Sequence, residues 1–262
     1  MKKRWPILLG VLVFLYALVI YAPLAVVYGY LKPANSPVEL LGVAGTPKQG
    51  SAAGVVVRGE TAVRDLRWTM SAWQLLIGRA AFDFSGSGDG LVLEGHAALP
   101  VTGGVRLSDL RASGSVKPLL AAFKLFLPID GQLGLDAQKL VLDNGFPTQA
   151  QGSLTLNRLA WKLGREPLMI GDFQAEVVPA DEGLAAKIKT LGGPLDASGE
   201  AALHVDRSYD LHLQIRAKAD APPQLVNMLR TLGAADNQGY YHIRRKGQME
   251  SPAVEAVQEV SQ

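Results

Sequence analysis

Histidines, carboxylates and a serine beside glycines are the groups in this chain that could do chemistry. The four histidines are His96, His204, His212 and His242. None has the His-x-His or His-x3-His spacing that places two metal ligands on one face of a strand or helix. The chain has no cysteine, which excludes thiolate metal sites, thiol nucleophiles, disulfides and a lipidated cysteine anchor. These patterns predict no metal site.

Motifs for nucleophilic and phosphate chemistry are incomplete. Residues 86–88, Gly-Ser-Gly, lack the Gly-x-Ser-x-Gly spacing of a hydrolase elbow. Residues 42–48 contain glycines and a lysine but not the Gly-Lys-[Ser/Thr] ending of a phosphate-binding loop. Asp136 and Asp143 are best interpreted as exposed turn carboxylates rather than as an acid and base pair. The sequence therefore predicts neither an enzyme nor a bound cofactor.

The amino terminus has the pattern of a membrane anchor. Three cations among residues 1–5 precede an uncharged apolar run over residues 7–27, whose 21 residues would span about 31 Å as a helix. We expect residues 6–30 to form a transmembrane helix, with residues 1–5 in the cytoplasm and the rest exported. A cleaved signal peptide is the alternative, although no Ala-x-Ala cleavage site occurs near residues 20–35.

Charge is distributed unevenly along the chain. The formal net charge is +2, with 26 basic and 24 acidic residues. Residues 1–32 hold four of the cations and no acid, so the remainder has 26 − 4 = 22 basic against 24 acidic residues and a charge of about −2. A nucleic-acid partner is therefore not expected, because such binding needs a basic surface.

The exported part has the pattern of a mainly β domain. After a proline-containing linker over residues 31–37, segments such as residues 210–218 alternate polar and apolar side chains, which indicates strands with one solvated face. Turn residues separate these segments. Only residues 116–127 and 223–232 have helical spacing besides the anchor. We predict a curved antiparallel sheet over residues 38–248 and a flexible tail over residues 249–262.

An internal repeat divides the predicted domain into two similar halves, about residues 42–130 and 131–248, each with one short helix. Residues 59–68 and 152–161 match in register, including Trp68 and Trp161. Later blocks match at a larger offset, so the second half carries about eleven extra residues between them. The two tryptophans are interpreted as large side chains that cover the apolar face of each half, with a ligand or partner anchor as the alternative.

The order of these features resembles the type II secretion system protein N family. The resemblance covers roughly residues 5–248 and rests on the basic start, the single anchor and a set of motif residues with a predicted structural role. These residues are Gly45, Thr46, Gly50, Trp68, Gly78, Gly152, Trp161, Gly171, Gly233 and Gly239. Residues 47–49, Pro-Lys-Gln, replace the apolar and aromatic pair usual in the family, so the partner contact of that aromatic has no counterpart here.

The resemblance implies a bitopic, non-enzymatic accessory subunit of the inner membrane. Its periplasmic β domain would act as a scaffold beside the assembly platform, and the outer-membrane secretin is a further candidate partner. The partner-binding residues are unknown, and a free sheet edge is the expected docking surface. The alternative is a periplasmic lipid-binding or lipid-transfer protein of the AsmA-like kind, in which an open apolar face would hold lipid.

Overall fold

The computed structural model describes residues 21–25, 28, 38–57, 60–71, 73–74, 78–88, 90–100, 103–117, 120, 127–143, 145–162 and 166–249. The predicted linker over residues 31–37 lies outside them, as do most of the predicted anchor over residues 6–30, most of the first helix over residues 116–127, and the tail after Met249. Within the described residues, no helix has the length and apolar character needed to cross a bilayer.

The described chain forms strands that follow one another in sequence, and the longest connections join β7 to β8 and β13 to β14. Their bounds are β1 Val38–Leu41, β2 Ala44–Gly45, β3 Gln49–Val57, β4 Glu60–Met70, β5 Arg79–Gly88, β6 Leu91–Pro100, β7 Val105–Ser115, β8 Ile129–Asp143, β9 Phe146–Trp161, β10 Leu168–Ala180, β11 Gly183–Gly192, β12 Leu195–His204, β13 Ser208–Ala217 and β14 Tyr241–Gln248. One helix, α1, covers Pro223–Arg230 between β13 and β14.

All of these strands belong to one antiparallel sheet in which sequence neighbours are spatial neighbours. The order is β1-β3-β4 and onward without a crossover to β14, and β2 pairs with β3 beside β1. Among the described strands, neither end of this order pairs with the other, so the sheet is open, with β1 and β2 at one edge and β14 at the other. The predicted mainly β, antiparallel fold is confirmed. The predicted second helix is present as α1.

One row of directly opposed residues is apolar across nine strands, and we call it the apolar ladder. Directly opposed residues of antiparallel strands lie on the same face of a sheet. All members are half-buried, and they define the apolar face. From β6 to β14 the apolar ladder consists of Leu93, Ala112, Leu135, Leu154, Ala175, Ile188, Gly199, Leu213 and Ile243.

The adjacent row contains no apolar residue, and we call it the polar ladder. Because side chains alternate between faces along a strand, this row lies on the opposite, polar face. Every member except Ser153 is exposed. From β6 to β14 the polar ladder consists of Glu94, Arg111, Asp136, Ser153, Glu176, Lys187, Glu200, His212 and Arg244.

Left-handed residues keep the long strands in phase with these two faces. Asp65, Asp109 and Arg158 have φ values of 46°, 49° and 52°, and a leucine follows each of them. Leu156 and Leu159 would lie on opposite faces of a regular strand because they are three residues apart. The irregular backbone at Arg158 instead lets both reach the apolar face, since Leu156 opposes Phe173, and Phe173 and Leu159 pack in one cluster.

Helix α1 closes one end of the apolar face. Leu225 and Leu229, spaced one turn apart, are 0% and 2% exposed and pack on Ile170 and Leu195. Partly buried side chains surround these four residues, including Trp161 from the end of β9. Pro222 is the N-cap residue of α1 and Pro223 occupies its first turn, where the missing N–H of proline costs no helical hydrogen bond. The best-buried core therefore lies between α1 and the sheet.

The two halves of the predicted repeat do not superimpose as a simple translation along the sheet. Asp65 and Arg158, which occupy equivalent places in the two predicted copies, both have positive φ. However, β4 and β9 are an odd number of positions apart, so they run in opposite directions and place Trp68 and Trp161 at opposite ends of the sheet. The extra residues of the second half fall around β11.

Replacing Leu225 with alanine tests the core. We expect Leu225→Ala to lower the free energy of unfolding by about 2–5 kcal/mol, because the side chain is fully buried and its loss leaves a cavity. Gln224→Ala, at an exposed position of the same helix, is the control and should change it by less than about 0.5 kcal/mol. Urea unfolding of the full chain, followed by tryptophan fluorescence, measures both. Equal stability of the two variants would contradict the described core.

Candidate functional site

Asp83, His96 and Ser108 lie side by side on three neighbouring strands, in the order of a nucleophilic triad. The distance from Asp83 Oδ1 to His96 Nδ1 is 2.5 Å, and both side chains are more than half exposed. No hydrogen bond joins His96 to Ser108 among the described residues. Asp83 and His96 line an open depression of about 400 Å³, and Ser108 is not part of its lining. The geometry is that of an exposed hydrogen-bonded pair without an activated nucleophile.

The part of the chain that the structure describes contains no group of three or more histidine and acidic side chains placed to hold a metal ion. A depression of about 460 Å³ lies on the polar face, where Glu94, Arg111 and Asp136 of the polar ladder line it. Arg111 is 3.6 Å from Glu94 and 3.9 Å from Asp136. Opposite charges thus satisfy one another here and leave no concentrated field for a ligand.

Four of the motif residues meet at one corner of the sheet. Thr46 begins a turn in which its Oγ1 accepts a hydrogen bond from the Gln49 backbone at 3.2 Å. Gly45 of β2 and Trp68 of β4 both oppose Gly50 of β3. A Cβ atom at Gly50 would lie 2.5 Å from the Trp68 ring, so only glycine lets the indole cover this corner. These motif residues shape the β2–β4 corner rather than a pocket.

The other motif residues are spread along the sheet. Gly152 lies within β9 and opposes Ala137 and Val177, and Gly78 immediately precedes β5. Gly171 of β10 has a φ of 138°, and a Cβ there would lie 2.6 Å from the Gly192 carbonyl oxygen. Gly233 follows α1 and Gly239 precedes β14. The structure does not bring this second group together.

Trp161 packs against the α1 core instead of standing free for a partner. Its indole Nε1 is buried and has no hydrogen-bond partner among the described residues. Trp68 is half-buried over Gly50. Both placements fit the interpretation of the tryptophans as packing residues.

The free edge of β14 is the strongest candidate surface. The Met249 backbone N–H donates to the Arg207 carbonyl at 2.9 Å. Because hydrogen bonding alternates along an antiparallel strand, the odd-numbered residues of β14 bond to β13 and the even-numbered residues direct their N–H and C=O groups outward. The outward residues are His242, Arg244, Lys246 and Gln248. No described strand pairs with this side of β14, so a row of backbone donors and acceptors is open along the eight-residue strand within the described part of the chain.

The opposite edge is more broken. β1 and β2 share one side of β3, with four and two residues, and Gly42 lies between them with a φ of 59°. Such a short, interrupted edge offers fewer consecutive backbone pairs to another strand. β14 is thus the better template for strand addition.

Asp236 fixes the turn that leads into β14. Its Oδ1 accepts the backbone N–H groups of Gln238 and Tyr240 at 2.9 Å, and its Oδ2 lies 2.8 Å from His242 Nε2. The hydrogen bond from His242, followed by the bond from the Tyr240 backbone, lowers the pKa of Asp236 below its ordinary value. Tyr240 in turn donates its hydroxyl to Asp196 at 2.9 Å. These contacts hold the start of the edge strand in place.

A second opening lies on the apolar face beyond the end that α1 covers. A trough of about 330 Å³ is formed largely by aliphatic side chains of β10 to β13. Arg245 opposes Leu211, which lines this trough, and Arg245 has no ion-pair partner among the described residues. The trough is apolar along its floor, and a cation stands at its β14 side. Its main lining residues are Val177, Leu184, Ala186, Ala201, Leu203 and Leu211.

Comparison with known proteins identifies the family. Residues 36–244 match the family described as type II secretion system (T2SS), protein N. The chain belongs to this family. It is 25% identical over 241 residues to the type II secretion system protein N of Aeromonas hydrophila, with 90% of this chain and 94% of that protein covered. No solved structure matches the chain. The resemblance predicted from the sequence is confirmed, and the protein is accordingly a component of the type II secretion machinery.

The candidate surfaces were not among the residues that the sequence singled out. The cationic run at 244–246 is visible in the sequence, but its place at a free edge depends on the strand order. The alternation of residues 210–218 does predict the two faces of β13. This alternation does not predict which strands lie at the edges of the sheet.

The lowered pKa of Asp236 gives a pH test of the turn. A carboxyl with a lowered folded-state pKa contributes stability above its unfolded-state pKa, and this contribution is lost as the pH falls through the folded-state pKa. We expect Asp236→Asn to lower the melting temperature at pH 7 and the difference from the wild type to close as the pH falls below about 4. Asp220→Asn, outside the turn, is the control. A difference that stays constant over this pH range would contradict the role of the Asp236 charge.

Proposed function

We propose that this protein is a bitopic inner-membrane accessory subunit of the type II secretion system. The apolar run between residues 7 and 27, preceded by three cations, supports an anchor with its amino terminus in the cytoplasm. In this proposal the β domain lies in the periplasm and acts as a scaffold that binds other secretion subunits during export of folded proteins. Its contribution is a surface rather than a reaction.

The open β14 edge carries this proposal. A partner strand that pairs with β14 would satisfy outward N–H and C=O groups that are otherwise left to water. The edge is fixed to the sheet by Asp236 at its start and by the Lys246–Asp210 pair, 2.9 Å apart, near its end. An edge held in its paired conformation loses little conformational entropy on binding, which favours strand addition.

Site-specific crosslinking in cells with an intact secretion system tests this role. We expect a photoreactive residue at position 244 to capture the assembly platform or the secretin, because that position lies on the free edge. The control is position 106, where Arg106 is also exposed but lies on the interior strand β7. Position 41, at the exposed Leu41 of the other edge, is probed in parallel.

Deletion of the gene provides the second readout. An accessory subunit required for export should leave exoproteins in the periplasm when it is missing.

The crosslinking experiment would contradict the scaffold role if neither edge captured a secretion subunit while the protein was folded and present at its normal level. Capture at position 41 alone would keep the role and move the docking surface to the β1 edge.

The apolar trough favours a second candidate function, the binding of a lipid of the periplasmic space. Its aliphatic lining could hold an acyl chain, and Arg245 stands where a lipid phosphate would lie. Against this, α1 and Trp161 cover the other end of the same face, so the uncovered length is limited.

Mass spectrometry of lipids that copurify with the protein separates the two candidates. A lipid carrier should retain stoichiometric phospholipid and should lose it in Leu203→Asp, which places a charge in the trough. Gln214→Asp, on the polar face, is the matched control. Similar lipid content in both variants would contradict the lipid function.

A further inference from the structure

We propose that β14 pairs with an extended segment of another protein that carries an acidic side chain opposite Arg244. This inference rests on the proposed function and specifies the chemistry of the partner. It is drawn from the charges of the polar ladder and from the direction of the backbone groups along the free edge. Each of these observations restricts the partner independently.

The polar ladder places acids beside its interior cations. Arg111 lies between Glu94 and Asp136, and Lys187 lies between Glu176 and Glu200. Opposite charges on directly opposed residues stabilise a strand pair, and like charges destabilise it. In the interior of the sheet, therefore, each cation of the ladder has an acidic neighbour on both sides.

Arg244 ends the ladder without such a neighbour. Its single opposed residue is His212 of β13, and its other side is the free edge. Within the described residues it makes no ion pair, whereas Lys246 pairs with Asp210 and His242 faces Asp236. An acid on an added strand, directly opposite Arg244, would give this cation the environment that Arg111 and Lys187 have.

The backbone at the same residue is available. Arg244 is one of the even-numbered residues of β14 whose N–H and C=O groups point away from β13. A strand added there would make two backbone hydrogen bonds to Arg244 and place its own opposed side chain on the polar face. Backbone pairing and charge pairing are thus satisfied by one residue of the partner.

The same charges disfavour a second copy of β14 as the occupant. β14 reads Tyr-His-Ile-Arg-Arg-Lys-Gly-Gln and contains no acid. When two copies pair in antiparallel orientation with Arg245 opposite itself, residues 242–248 overlap and Arg244 opposes Lys246. No register within β14 places an acid opposite Arg244, and the central registers set cation against cation. These charges therefore disfavour pairing of β14 with its own copy and favour an added strand that carries acidic side chains.

Peptide binding to the purified full-length protein in detergent micelles tests the inference. The probe is a fluorescein-labelled ten-residue peptide of alternating threonine and glutamate, compared with its threonine and lysine counterpart by fluorescence anisotropy. We expect the acidic peptide to bind at least about tenfold more tightly, because several cross-strand charge pairs change sign between the two.

Two controls separate strand pairing from general attraction between charges. The acidic peptide methylated on alternate backbone nitrogens cannot complete the hydrogen-bond ladder and should lose binding. Arg244→Glu should weaken the unmethylated acidic peptide by about tenfold. Arg106→Glu changes the net charge equally on an interior strand and should leave its affinity unchanged.

Several results would overturn the inference. These are no binding of the acidic peptide, equal binding of the lysine or the methylated peptide, or equal losses for Arg244→Glu and Arg106→Glu. Mass photometry that shows concentration-dependent oligomers abolished by Arg244→Glu would also overturn it, since β1 of a second copy, with Glu39, would then occupy the edge. If the peptides fail but crosslinking captures a secretion subunit, the acidic-strand inference falls and the proposed function stands.

Discussion

The structure depends on keeping apolar side chains on one face of a single sheet across every strand pair. A one-residue slip in any pair would turn the following strands over and expose their apolar residues. The nine-residue apolar ladder shows that the register holds from Leu93 to Ile243. Left-handed residues such as Arg158 hold it through the longest strands, where a strictly alternating pattern would lose phase.

The open sheet determines which surfaces the domain presents to a partner. Among the described residues, α1 packs on one end of the apolar face and forms a buried cluster with Ile170 and Leu195, and other buried residues such as Ala52, Met70 and Val116 lie outside this cluster. The rest of the sheet presents surfaces: one polar face with paired charges, one partly open apolar face, and two edges. In the proposed role such a domain works through contacts, and the β14 edge is the surface on which open backbone groups and a cation without an ion pair among the described residues coincide.

The sequence predicted the parts of this fold that follow from local pattern. Alternation over residues 210–218 indicates β13, and the leucine spacing after Pro223 indicates α1, which ends at Arg230 instead of residue 232. The motif residues gave the family through their order, although Gly45, Gly50 and Trp68 proved to shape one corner of the sheet while Gly152 and Gly171 lie far along it.

The remaining features could not be predicted from local sequence patterns. A left-handed Arg158 has no distinctive sequence signal, because glycine, asparagine and aspartate are the residues that favour this conformation. The free edge depends on which strands lack a neighbour, and that is a property of the whole topology. Arg244 belongs to a cationic run that is visible in the sequence, but its place as the last member of the polar ladder follows only from the strand pairing.

Amide hydrogen exchange along β14 tests the central claim most directly, measured on the purified protein and on the protein within the isolated secretion complex. In the purified protein, the amides of Ile243, Arg245 and Gly247 should exchange slowly, and those of His242, Arg244 and Lys246 should exchange fast. Within the complex, the second set should become protected as a partner strand pairs with the edge. Fast exchange of these outward amides in both samples would contradict the account.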